Sequence, residues 1–315
     1  MKPWHCFVAT LICASSLSLP AFGAEAARSA DISKRNLKPS DFPQKQELAP
    51  GVYAYEGLHA PDADGTYIST VSLIVITTDG VTVVDGQGDV PQAQQMVDTI
   101  KKLTSQPVKY VVIASEHGDH VGGNAAFKAA YPNVVFISSP VSQRNLANNP
   151  NPPTQTVADK RTIRMGKTDI QILNLGRAHT GGDLAVYLPK SKVLFLSEIY
   201  LHDVFPAMRS AYPTEWVATI KKAQAIDAKW YVPGHGFVDD AATLKSHLGD
   251  ALKATAYVID EAKRLHAAGE ACESPKNCPA AQKANWGPYS DWALRSSQAP
   301  IAIWKVYQEV EGKLP

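Results

Sequence analysis

Two histidines and an aspartate fall within four residues in the stretch Ser115-Glu116-His117-Gly118-Asp119-His120. Imidazole nitrogens and carboxylate oxygens are common protein donors to zinc. Alone, such a cluster reads as a polar surface turn. Other positions offer the same donors: His179 in Ala178-His179-Thr180-Gly181-Gly182-Asp183, Glu198 in Phe195-Leu196-Ser197-Glu198, and His235 in Pro233-Gly234-His235-Gly236. Asp85 closes the run Val81-Thr82-Val83-Val84. Gathered in one place, these groups would hold one or two metal ions, and the chemistry they would support is metal-assisted hydrolysis.

The elements that must position them are strands that end at each motif. The apolar run 108–114 reads as a buried strand, and 125–130 as a short helix after the turn. The hydrophobic pattern predicts further strands over 51–55, 68–76, 81–84, 134–138, 170–175, 184–188, 193–196 and 230–232. Helical spacing is found over 92–103, 141–148, 215–226, 240–268 and 301–311. The Asp79-Gly80 turn makes a hairpin of the second and third strands. Strand ends are stiff, and the turns that follow expose side chains, so donors placed there keep fixed angles.

In order and spacing these residues resemble the motifs of the metallo-β-lactamase superfamily over roughly residues 50–238. The stretch 115–120 is similar to its HxHxDH signature, with Ser115 where the first histidine is expected. Asp85 resembles the supporting aspartate of the first motif. The resemblance implies an α/β fold, the αββα four-layer sandwich. It implies metal ligands at His117, Asp119, His120, His179, Glu198 and His235. The catalytic groups are Asp119, which orients the nucleophile, and His117, which like His179 is free to protonate the leaving group where only the second metal site is filled. Glu198 stands where the family usually carries an aspartate. On that pattern Asp119, His120 and His235 form a complete second metal site, whereas His117 and His179 are left a ligand short by Ser115. Three states stay open: one ion at the second site, two ions with Glu116 or water completing the first, or a fold that has lost its metal. For Glu116 to turn inward, the chain must kink, because neighbouring residues of an extended segment face opposite ways.

The implied activity is a zinc hydrolase that uses a metal-bound hydroxide on a carbonyl substrate such as an ester, lactone, thioester or β-lactam. A non-catalytic binding protein of the same fold is the alternative from another class. An iron-dependent oxidoreductase is a third reading, and Ser115 speaks against it. Asp183 is placed to hold the turn at His179. His202 reads as a surface histidine, and His59, His247 and His266 fit no ligand pattern. Trp286, Tyr289 and Trp292 read as packing residues.

The chain has 315 residues, 45% hydrophobic and 19% charged, enough for a full core. Lys and Arg number 31 against 30 Asp and Glu. Without Lys2, the sole such charge in residues 1–23, the two signs balance. No basic stripe points to nucleic acid. Lys2, the apolar stretch 7–19 and Ala21-Phe22-Gly23 read as a signal peptide over 1–23, so the protein is expected in the periplasm or secreted, with no membrane anchor. Residues 24–47 read as a flexible lead-in, 48–270 as the domain carrying the motifs and 271–315 as a helical extension packed on it. Cys6 and Cys13 leave with the leader. Cys272 and Cys278 are expected to form a disulfide in an oxidising compartment. The expected partner is a small-molecule substrate.

Overall fold

The computed structural model describes Met1 and residues 29–315, so the expected leader lies outside the described residues. The strands are β1 (Gln44–Ala49), β2 (Val52–Leu58), β3 (Ser69–Thr77), β4 (Gly80–Val84), β5 (Val108–Val112), β6 (Val135–Ser138), β7 (Gln155–Thr156), β8 (Lys160–Met165), β9 (Thr168–Leu173), β10 (Ala185–Leu188), β11 (Val193–Leu201) and β12 (Trp230–His235). They form one curled sheet in the order β7-β6-β5-β4-β3-β12-β11-β10-β9-β8, with β2 branching from β3 and β1 from β2. The helices are α1 (Val90–Leu103), α2 (Gly118–Val121), α3 (Asn124–Ala130), α4 (Pro140–Asn145), α5 (Pro213–Gln224), α6 (Ala241–Ala267), α7 (Ala280–Lys283) and α8 (Arg295–Val310). This is the α/β fold expected from the motifs.

Side-chain alternation along the strands makes the layers. On β3, Leu73 and Val75 enter one core, which also holds Ile172, Val186 and Phe195 from the other half of the sheet. Ile74, between them, faces a second core with Val83 and Val111, roofed by Met96 and Ile100 of α1 and Phe127 of α3. A period of two thus places one apolar row between the sheet halves and the next beneath helices. On the far side α5, α6 and α8 pack on one another, with α5 and α6 against β11 and α6 also against β12.

The two halves of the sheet join where β3 meets β12, through the single pair His235↔Thr70. β11 and β12 run parallel, with register shifts on both sides of Ser197. Ser197 adopts φ 46°, in the left-handed region. An irregularity of this kind re-aims the neighbouring side chain, and here that side chain is Glu198. Gly236 is also required: at φ +88° a Cβ would lie 2.2 Å from the carbonyl oxygen of His202.

The expected flexible lead-in is corrected over its described part. Residues 32–35 and 39–41 form short 3-10 turns, and β1 pairs with β2. Ile32 is 2% exposed, and Arg35 grips Asp239 through two bonds of 2.7 and 2.8 Å. Asp239 lies 204 residues from Arg35 in sequence, so the polar local composition gave no sign of this contact. The strands β7 and β8 form where the hydrophobic pattern placed no strand, and β11 runs five residues past its expected end, to Leu201. Helix α8 starts before Pro300 and carries that proline inside it. Trp286 is buried edge-on to Phe205, and Tyr289 packs on Trp292, as packing residues would. Cys272 and Cys278 are joined as a disulfide.

Candidate metal centre

All six expected ligand residues converge at the seam between the sheet halves. They fall into two groups that share Glu198: Asp119, His120, His235 and Glu198 in one, His117, His179 and Glu198 in the other. His117 and Asp119 stand at the start of α2, His120 within it, His179 in the loop after β9, Glu198 on β11 and His235 at the end of β12.

Asp85 ties the base of the site together. Held at φ 61° and fully buried, it accepts from the backbone N–H groups of Ala114 (2.8 Å) and Ser115 (3.3 Å), and from the Ser197 hydroxyl (2.6 Å). Its Oδ2 lies 3.0 Å from His120 Nδ1. A side chain with so many partners over-determines its strained backbone. It also sets the ring of His120: with Nδ1–H turned to Asp85, Nε2 faces the cluster with its lone pair. His235 is set in the same manner, Nδ1 lying 3.0 Å from the carbonyl oxygen of Ser69. Its Nε2 is 3.2 Å from His120 Nε2 and 3.0 Å from Asp119 Oδ2. Two imidazole lone pairs facing each other at that distance in a buried site call for a cation between them. Tetrahedral ligands at zinc–nitrogen distances of about 2.0–2.1 Å stand roughly 3.3 Å apart. The donors present therefore fit a divalent ion.

The second group takes its third donor from Glu198, the residue at the position of the family's bridging carboxylate. Ser115 is buried, and its hydroxyl donates to Glu198 Oε2. Glu198 Oε2 lies 2.9 Å from His117 Nδ1, and Oε1 lies 2.9 Å from His179 Nε2. The histidines are 3.2 Å apart, His117 Nδ1 to His179 Nε2. His117 Nε2 is turned to the Ser210 hydroxyl at 3.2 Å. The longer side chain of Glu198 thus brings a carboxylate into the set that lacks the first histidine. Glu116 does not turn inward; its Oε1 accepts from Asn145 Nδ2 at 2.5 Å.

Without an ion, protons hold these charges together. Burial disfavours the charged form of His117, but the Glu198 carboxylate outweighs it and lifts the ring to about 9. Burial likewise opposes protonation of His235, and hydrogen bonds to Asp119 and Glu198 raise it to about 10. Asp119 and Glu198 are both pushed down by the surrounding imidazoles, against the opposing effect of burial. His179 is pushed down by burial.

Asp183 takes the expected supporting place. It accepts from the backbone N–H of Thr180 (2.8 Å) and the Thr180 hydroxyl (2.5 Å), fixing the turn after His179. Burial raises its carboxyl to about 7. Trp216 closes the wall behind His179, edge-on at 5.2 Å. The open side is formed by His117, Asp119 and His59, whose side chains are 27%, 24% and 30% exposed.

Of the remaining histidines, His59 borders the site without joining either ligand group, and the expectation for His202 is corrected. His59, from the loop after β2, reaches the site: Nε2 is 3.7 Å from Asp119 Oδ2, and the ring lies edge-on to His235. Only its place in a loop leading away from a strand end could have signalled this. His202 is not a surface residue but is 1% exposed, against His247.

A model of the metallo-beta-lactamase superfamily matches residues 64–235, more than half of the chain. The metallo-beta-lactamase type 2 of Bacillus sp. (strain 170) is 24% identical over 197 residues, 60% of this chain and 75% of that protein. That of Elizabethkingia meningoseptica is 25% identical over 174 residues, 50% of this chain and 68% of that one. Among solved structures, a metallo-beta-lactamase from Pontibacter korlensis superposes with a TM-score of 0.61 at 24% identity, covering 68% of this chain and 99% of that one. Another, from Hirschia baltica, gives 0.58 at 19% identity, covering 68% and 97%. The order of the motifs, the seam at which they meet and the family match agree, and this chain belongs to the metallo-beta-lactamase superfamily.

Proposed function

We propose that this chain is an exported zinc hydrolase that opens a carbonyl–heteroatom bond of an ester, lactone, thioester or β-lactam. The observation that carries the reading is the paired ligand set meeting at Glu198, with donor separations near 3 Å on both sides. A divalent ion bound there supplies Lewis acidity and a water acidified to a pKa of about 7.

The chain's own residues do the rest. Asp119 sits at the open rim, where its carboxylate orients the nucleophile. Glu198 spans both ligand groups, and Ser115 steadies its Oε2. Asp85 and the Ser69 carbonyl keep the protons of His120 and His235 on Nδ1, so that both Nε2 atoms face the cluster. His117, also expected as a proton donor, presents Nδ1 to Glu198, and in this reading its part is that of a ligand. Export is supported by the charged, apolar and small-residue pattern of residues 1–23 and by the Cys272–Cys278 disulfide.

The test is elemental analysis of the mature protein, purified without chelator, followed by hydrolysis assays on the four substrate classes. Stoichiometric zinc with turnover of at least one class is the expected result. A protein that takes up no zinc on titration, or takes it up and hydrolyses none of the four, overturns the reading. One observation favours a second reading: His117, His179 and Glu198 are a two-histidine, one-carboxylate set, a donor combination also used by iron(II) oxygenases. Iron in place of zinc, with dioxygen consumption in place of hydrolysis, would establish it.

A further inference from the structure

A second cluster of metal-ligating side chains lies behind the catalytic seam, where β11 gives way to the following loop. His202 and Asp203 come from that loop and His247 from α6. They are 1%, 8% and 5% exposed. His202 Nδ1 is 2.7 Å from the carbonyl oxygen of Phe237, so this nitrogen carries the hydrogen and donates it. Nε2 is therefore the lone-pair side, and it faces His247 Nδ1 at 2.7 Å. Asp203 Oδ2 approaches both rings, at 3.5 Å from His202 Nε2 and 3.3 Å from His247 Nδ1. That oxygen is buried and has no hydrogen-bond partner in the structure. Leaving a buried carboxylate oxygen unpaired is costly. Asp203 also stands at φ 54°, in the left-handed region, which aims its side chain at the histidines.

We propose that His202, Asp203 and His247 form a second, structural binding site for a divalent transition-metal ion, separate from the cluster around Glu198. Two imidazoles and one carboxylate suit zinc or a neighbouring first-row ion, with water as a fourth ligand. Two of the three donor separations already match the roughly 3.3 Å of tetrahedral ligands. The third, between the rings, has to widen from 2.7 Å by about 0.6 Å to reach it, a small rotation of either side chain. Asp239 is the next carboxylate, 3.9 Å from His202 Nε2, but Arg35 holds both of its oxygens. The ion would pin the loop after β11 to α6. Through the bond from the His202 backbone N–H to the His235 carbonyl oxygen, 3.0 Å, it would steady the strand end that presents His235.

Two measurements with zinc alone as the probe test this. Zinc-soaked crystals of the mature protein, measured on both sides of the zinc absorption edge, should show an anomalous peak about 2 Å from His202 Nε2, His247 Nδ1 and Asp203 Oδ2. Equilibrium dialysis should show His247→Gln and Asp203→Asn each binding about one zinc fewer per chain than the wild type, with the Glu198 cluster still loaded. Anomalous peaks confined to the Glu198 cluster, with the two rings still in direct hydrogen bond, overturn the proposal. So does unchanged stoichiometry in both variants. If a variant does not fold, the diffraction result on the unaltered protein decides alone. Zinc missing from the Glu198 cluster but present here would count against the hydrolase reading and not against this site.

Discussion

Replacing Ser115 by alanine separates a residue that merely tolerates the loss of the family's first histidine from one that builds its replacement. The Ser115 hydroxyl donates to Glu198 Oε2, and the two residues are 0% and 3% exposed. A hydrogen bond to a charged group contributes about 1.5–3 kcal/mol when its partner is left buried. Each 1.4 kcal/mol is about tenfold in an equilibrium constant. Ser115→Ala should therefore weaken zinc at the His117, His179 and Glu198 group by roughly 10- to 100-fold. The Asp119, His120 and His235 side should keep its affinity within a few-fold. The assay is competition with a chromogenic chelator at fixed pH, fitted to two sites. A cycle with Glu198→Asp sharpens it. Aspartate lacks the methylene that carries the carboxylate to Ser115, so removing the hydroxyl in that background should cost little, and the coupling should exceed about 1 kcal/mol. Equal loss in both backgrounds, or wild-type affinity in Ser115→Ala, would refute the argument.

Further outcomes follow from the same geometry. Ser115→His alone should not add a ligand, because Glu198 already fills the space; it should destabilise the fold by about 1–3 kcal/mol in urea melts, with part of the loss recovered by adding Glu198→Asp. Asp119→Asn should lower zinc content on the Asp119, His120 and His235 side and cut turnover at least 100-fold; full metal with full rate would reject its assignment. Zinc binding must displace the protons that Glu198 and Asp119 hold on His117, at about 9, and His235, at about 10. Affinity should therefore rise with pH through the neutral range, and calorimetry at pH 7 in buffers of different ionisation enthalpy should report about two protons released. By the same linkage, the metal-free protein keeps the stability of these imidazolium pairs fully below 6.5 and loses it as pH climbs through about 9 and 10, which pH-dependent melts of chelator-treated protein will register. Asp183→Ala should cost about 1–3 kcal/mol, since it leaves the backbone N–H of Thr180 buried and unpaired, and should weaken zinc on the His179 side.

What could be read from the sequence was what local pattern encodes. Apolar runs placed most of the strands, and the order and spacing of the motifs, through the family resemblance, supplied the candidate ligands. What could not be read depended on partners distant along the chain. Ile32 and Arg35 order the N-terminal approach through residues elsewhere in the fold, Arg35 through Asp239. His202 and His247 are 45 positions apart and meet only because α6 folds back over the loop after β11. Glu198 is the most instructive case, because its direction is set by backbone. The register shifts around Ser197, whose φ of 46° no propensity forecasts, turn its side chain into the site.

That turn changes the meaning of two apparent defects. In sequence, Ser115 is a missing imidazole and Glu198 an aspartate grown too long, and each taken alone lowers the expectation of a working centre. In space they answer one another. The extra methylene carries the carboxylate towards His117 and His179, into the set the first histidine has left, and the small serine makes room for it while donating the hydrogen bond that keeps it there. The group keeps three donors, one imidazole having been exchanged for a carboxylate. A negative ligand in place of a neutral one strengthens electrostatic attraction for a divalent ion and makes the set more suited to hard cations. Glu198 is the one carboxylate shared by both ligand groups, whereas Asp119 belongs to one. Substitution at Glu198 should therefore disturb both sides at once, whereas substitution at Ser115 should disturb one.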